Sequence, residues 1–151
     1  MITWYADKEL KIEFSVDPDV RVLHPNPHFD EKQNETVKAK PFMLTCDIDV
    51  AITYQGFRYS FTVPEGYTWD GASIPRLFWR IIGPPTSPSF LTPSFVHDVL
   101  CENRHYINNN RYLSTIVLER LLYVSGVGPF RRWAMKHSVD NYQKFRGWNK
   151  K

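Results

Sequence analysis

The stretch FMLTCDIDVAITY, residues 42–54, limits what this chain can fold into more than any other. The even positions Phe42, Leu44, Cys46, Ile48, Val50, Ile52 and Tyr54 are apolar, and the odd positions include Thr45, Asp47, Asp49 and Thr53. Such a sustained period of two predicts one long strand over 42–54 with a single buried face. Gln55-Gly56 follows, then FRYSFTV, whose apolar set is Phe57, Tyr59, Phe61 and Val63. A two-residue loop sets Tyr54 opposite Phe57. Both apolar sets then share a face, so the register agrees with a hairpin. Cys46 falls on the buried face and reads as an inert core thiol.

The rest of the first third is also strand-like. In LKIEFSV, Leu10, Ile12, Phe14 and Val16 alternate with Lys11, Glu13 and Ser15, and DPDV reads as a turn. Residues 24–41, HPNPHFDEKQNETVKAKP, are polar and punctuated by proline, so they read as a loop. After Pro64 the pattern changes. PEGYTWDGAS is rich in turn residues, and Ser73 is placed to cap a short helix, IPRLFWRII. GPPTSPSFLTP is a stiff connector. Thr92-Pro93 reads as the start of a helix over PSFVHDVLCEN. The polar loop NRHYINNN leads to a longer helix, opened by Asn109 or Asn110 and closed by Gly126. Gly128-Pro129 opens a last helix, with Phe130, Trp133, Ala134 and Tyr142 near one stripe. Strands come first and helices second. The reading is one α+β domain over 1–151, an antiparallel sheet from the N-terminal half with three to four C-terminal helices packed on it.

The totals fit this and narrow the function. Hydrophobic residues make up 42% and charged residues 23%, ordinary globular values that exclude global disorder. The net charge of +3 is too weak to argue for nucleic acid, although basic residues gather in FRRWAMKH and QKFRGWNKK. Cys46 and Cys101 stand in different elements, with no CxxC motif and no disulfide framework. MITWYADKEL lacks a basic region followed by an apolar run, and no stretch approaches a membrane span. The expectation is a soluble protein made in the cytoplasm.

Two short stretches carry the candidate chemistry. One is GYTWDGASIPR, residues 66–76. The other is FVHDVLCE, residues 95–102. In a helix, neighbours point about 100° apart, so His97 faces the way of Cys101 and Asp98 the way of Glu102. These polar rows lie in an otherwise apolar helix, and a buried His or Asp is costly without a partner. Asp70-Gly71 is a turn dipeptide, and Ser73 precedes an expected helix N-terminus with its free N–H groups. Read blandly, Asp70 and Ser73 cap a turn and a helix while His97 and Asp98 sit at a surface. Read sharply, Asp70, Ser73, His97 and Asp98 form one site.

In order, Pro64-Glu65-Gly66-Tyr67, then Asp70-Gly71-Ala72-Ser73-Ile74-Pro75-Arg76, then His97-Asp98-Val99-Leu100-Cys101 resemble the bacteriophage and prophage family called domain of unknown function 1353. The resemblance covers roughly 57–148 and leaves 1–56 outside. It implies a phage or prophage setting and a grouping of Asp70, His97 and Asp98. One departure stands out. Relatives carry an Asp in the following helix where this chain has Ser114-Thr115, and Glu102, Glu119 or His105 are the acids and bases at hand to replace it.

One His with carboxylates suits a divalent metal, Zn or Mn, held by Asp70, His97 and Asp98, whose bound water would serve in hydrolysis. Neither HExxH nor paired CxxC is present. The metal-free option uses Ser73 as nucleophile, His97 as base and Asp70 or Asp98 to orient it, without a GxSxG elbow. His24, His28 and His137 read as exposed. Trp133 and most other tryptophans read as packing residues, while Trp69 reads as a wall of the site. The expected partners are other phage proteins or a cell-envelope polymer, with self-association open and nucleic acid third. The functional expectations are a small hydrolase acting on cell-envelope material or a non-enzymatic virion or assembly protein, made in the host cytoplasm and carried with the virion.

Overall fold

The computed structural model describes residues 1–70 and 88–146. The strands are β1 (Ile2–Ala6), β2 (Leu10–Phe14), β3 (Val20–Val22), β4 (Phe42–Leu44), β5 (Ile48–Tyr54), β6 (Phe57–Val63) and β7 (Thr68–Trp69). The helices are α1 (Glu31–Ala39), α2 (Leu91–Glu102), α3 (Arg111–Val124) and α4 (Pro129–Arg146). One antiparallel sheet runs β1-β2-β5-β6 and a smaller one runs β3-β4-β7. The architecture is α+β, as strands before helices imply. No helix among the described residues is long and apolar enough to cross a membrane.

The strand expected over residues 42–54 is two strands in two sheets. β4 pairs with β3 and β7, while β5 pairs with β2 and β6. The alternation continues through the break, so periodicity gives no sign of it. Hydrogen bonds explain it instead. Thr45 N–H donates to the Asp19 carbonyl at 3.1 Å, and the Asp47 carboxylate accepts from Glu65 N–H at 2.7 Å. These bonds turn the chain into a corner between the sheets. The hairpin is as expected: Tyr54 opposes Phe57, and Gln55 and Gly56 both have positive φ, the type I′ turn.

Leu10, Ile12 and Phe14 are buried, but β2 ends at Phe14 and Val16 is exposed. On the other face Glu13 is only 7% exposed, with Lys11 at 3.6 Å and Arg58 at 3.4 Å. The expected loop over 24–41 contains α1. Asp30 accepts from Gln33 N–H and Gln33 accepts from Asp30 N–H, a capping box that satisfies the first turn. No residue of α1 is buried.

The main core lies between the larger sheet and the inner faces of α2 and α3, with Ile12, Val50, Ile52, Phe95, Leu100, Leu113 and Val117 among its members. α2 begins at Leu91, before the expected Thr92-Pro93 start. A 3₁₀ turn over Pro88–Phe90 leads into it, so the helix starts from the buried Phe90 with no side-chain cap bond. Asn110 caps α3 by accepting from Leu113 N–H at 3.0 Å, and Gly126 has φ +86 after its last turn. α4 buries Ala134, Met135 and Val139 against Phe90, Leu118, Leu122 and Val127. Phe130 and Trp133 are not part of that stripe: they are 62% and 58% exposed and lie against each other and His137. The side chain of Tyr142, Ser73 and the helix expected over 74–82 lie outside the described residues.

Candidate functional site: a paired carboxyl cluster

β7 is short, and its partner β4 fixes it, with Trp69 opposite Phe42. Trp69 is fully buried. Its ring lies 5.9 Å from Phe42, 5.3 Å from Phe95 and 6.0 Å from Tyr67. Its indole N–H donates to Ser94 Oγ at 3.1 Å, and the Ser94 hydroxyl donates to the Leu91 carbonyl. A strand end is thereby pinned to one turn of α2. Asp70 leaves the strand next, and Asp98 stands one turn beyond Ser94. The Asp70 and Asp98 carboxyls are near enough to act on each other.

Neighbouring carboxyls are costly to ionise together, most of all where one is buried, so one keeps a proton. Asp98 keeps it. Burial pushes Asp98 up to about 8, and the neighbouring carboxylates Asp70 and Glu102 push the same way, while Lys40 opposes them. Asp70 is exposed. Glu102 lies one turn along α2, where it accepts from the Tyr67 hydroxyl at 3.1 Å and meets Lys40 Nζ at 3.8 Å. Burial, then the charges of Glu102 and Asp98, raise the Tyr67 phenol far above its ordinary value, so it stays a donor. The cluster thus offers a protonated acid, a solvent-facing carboxylate, a phenol and an ammonium around one strand end.

His97 is only 8% exposed, and burial drives it down to about 4, so its ring is neutral at pH 7. Its ring nitrogens both lie 3.7 Å from Cys101 Sγ. A sulfur equidistant from both nitrogens sits opposite Cε1 or over the ring, off either nitrogen's lone pair. The contact is therefore packing and not a nucleophile–base bond. The divergence of the two rows is as the helix geometry requires: His97 goes with Cys101, and Asp98 with Asp70 and Glu102. Among the described residues no three His, Cys, Asp or Glu side chains gather as a metal site.

Ser114 and Thr115 are buried, and their hydroxyls donate to the Arg111 carbonyl. Of the acids and bases expected to stand in for a helix Asp, Glu102 joins the cluster. Glu119 instead bonds Arg120 and Arg132, and His105 is exposed beside Tyr106. Trp69 is core beneath the cluster rather than its open wall. Tyr67 and Lys40 are the members that sequence reading misses. Tyr67 stands two residues before Trp69 and stacks on its ring, and that spacing is a legible signal. Lys40 arrives from a distant loop and leaves none.

A protein of Sinorhizobium fredii (strain NBRC 101917 / NGR234), described as uncharacterized protein y4jT, is 33% identical over 96 residues. The match covers 56% of this chain and 26% of that protein, so the chain spans about a quarter of its relative. No solved structure matches. The model of one family matches residues 46–139, which take in the hairpin, β7 and the whole of α2 and α3. The chain belongs to that family, described as protein of unknown function (DUF1353).

Proposed function

We propose that this chain is a small hydrolase of a phage or prophage setting that cleaves amide bonds in cell-envelope material, with Asp98 and Asp70 as its acid–base pair. What carries the reading is a half-buried Asp98, held protonated, beside the solvent-facing Asp70 at the end of β7. Neighbouring carboxyls of which one is protonated can split two tasks. Asp70 draws a proton from water as it attacks the carbonyl, and Asp98 gives its proton toward the departing amine. Tyr67 O–H faces Glu102 and holds it in place. If a divalent metal such as Zn or Mn takes part, Asp70 and Asp98 would hold it once Asp98 loses its proton, and His97 would have to turn from Cys101 to join.

The test is release of new amino groups from purified peptidoglycan. Wild type should release them. Asp98→Asn and Asp70→Asn should each lose at least about 100-fold, with unchanged circular dichroism. Activity that survives both substitutions sinks the reading. Loss in chelator and recovery with Zn or Mn would assign the pair to a metal.

The second reading is a non-enzymatic virion or assembly protein. The exposed aromatic ridge of Phe130, Trp133 and His137 favours it, since contiguous exposed rings commonly mark contact surfaces. Co-purification with intact particles, lost in Trp133→Ala, would support it.

A further inference from the structure

A groove of about 440 Å³ lies between edge strand β1 and the end of α3, lined by Tyr5, Ala6, Glu119, Arg120, Tyr123 and Arg132. None of these belongs to the carboxyl cluster. Its volume is that of a small-ligand site. The rings of Tyr5 and Tyr123 meet edge to face at 6.5 Å, and Tyr123 is 57% exposed. The Arg120 guanidinium lies 5.7 Å from the Tyr5 ring centre, and that of Arg132 lies 5.0 Å from the Tyr123 ring centre. Ion pairs lock the planar groups. Arg120 bonds Glu119 and reaches Asp7 at 3.9 Å. Arg132 donates to Glu119 at 3.3 Å and to the Val127 carbonyl at 2.8 Å.

Chemistry narrows what fits. The guanidiniums are matched by the carboxylates of Glu119 and Asp7, so a polyanion gains no net attraction. The lining is too polar for a lipid tail. It offers fixed donors and fixed acceptors beside aromatic rings. A ligand whose groups both donate and accept, and which has an apolar C–H face, uses all of these. A sugar is such a ligand. We propose that this groove binds a neutral glycan chain, with a pyranose face on Tyr123 and hydroxyls bridging Glu119 and the two guanidiniums. The site is separate from Asp70 and Asp98 and stands whether or not they hydrolyse anything.

The test is calorimetric titration of the full chain with chitotetraose and with maltotetraose. At least one should bind with an affinity tighter than about 10 mM. Tyr123→Ala, at an exposed position, should weaken that binding at least about tenfold and keep the wild-type melting temperature. Glu119→Gln should weaken it too, and Asp98→Asn should leave it unchanged. No binding of either sugar, or equal binding by Tyr123→Ala, overturns the proposal. Salt-sensitive binding of single-stranded DNA in place of the sugars would also overturn it.

Discussion

At the scale of single residues, the cluster depends on one buried bond in which neither acid takes part. Ser94 Oγ is the acceptor for the Trp69 indole, and it sets β7 against α2. Ser94→Ala leaves a buried N–H without that partner and should cost about 1–3 kcal/mol, read by denaturant unfolding. Activity should fall along with stability, because Asp70 follows Trp69 directly. Asp98→Ala removes the acid outright, whereas Asp98→Asn keeps the shape and deletes only the titration. Rate in the wild type should therefore fall as pH rises through about 8, where Asp98 loses its proton, measured as turnover against pH. Little of this was legible beforehand. Asp70, Asp98 and the separation of His97 from Asp98 follow from motif and helix geometry. Lys40 and the Trp69–Ser94 bond depend on which distant elements meet, and no local pattern encodes that.

At the scale of elements, turns and caps were the legible features. Gly56 and Asn110 carry their own backbone chemistry, and both do what their residue types favour. At Gly56 a Cβ would meet nothing within 4 Å, so a substitution is penalised by its φ of +82 alone. Gly56→Ala should cost about 1–2 kcal/mol without disturbing the core, measured by chemical denaturation with the same slope. Period-two patterning was less informative at the corner between β4 and β5, because a strand that switches sheets keeps its inward and outward faces. The α4 aromatics misled for a related reason. Apolar character at helical spacing marks a stripe, but not which of two stripes faces the core. Ala134, Met135 and Val139 occupy the inner one. The capping box at Asp30 and Gln33 was a visible sign of α1, outweighed by the surrounding polar residues and prolines.

At the scale of the whole molecule, His97 and Asp98 set opposing pH dependences. The folded state lowers His97 from about 6.5 to about 4, so its contribution is lost as pH falls through that window. The folded state raises Asp98 from about 4 to about 8, so its contribution is lost as pH rises through that longer one. Between about pH 4 and 6.5 the slopes cancel. Between about 6.5 and 8 only Asp98 acts, and stability should fall by up to about 1.4 kcal/mol per pH unit. Urea midpoints across pH 4–9 check this. Asp98→Asn should flatten the upper window and reveal the His97 slope alone in the lower one.

The excursion that carries α1 leaves the small sheet and returns to where it left. Val22 pairs with Phe42, and Leu23 N–H donates to the Pro41 carbonyl at 2.7 Å. Its helix buries nothing, so the sheet closes without it. Such a segment is an interchangeable cartridge: its length and composition are free to drift while the core is held fixed. Yet Lys40 rides at its exit, within reach of Glu102, and lowers the proton affinity of Asp98. Exchanging the cartridge would retune the acid without touching a strand or helix that holds it.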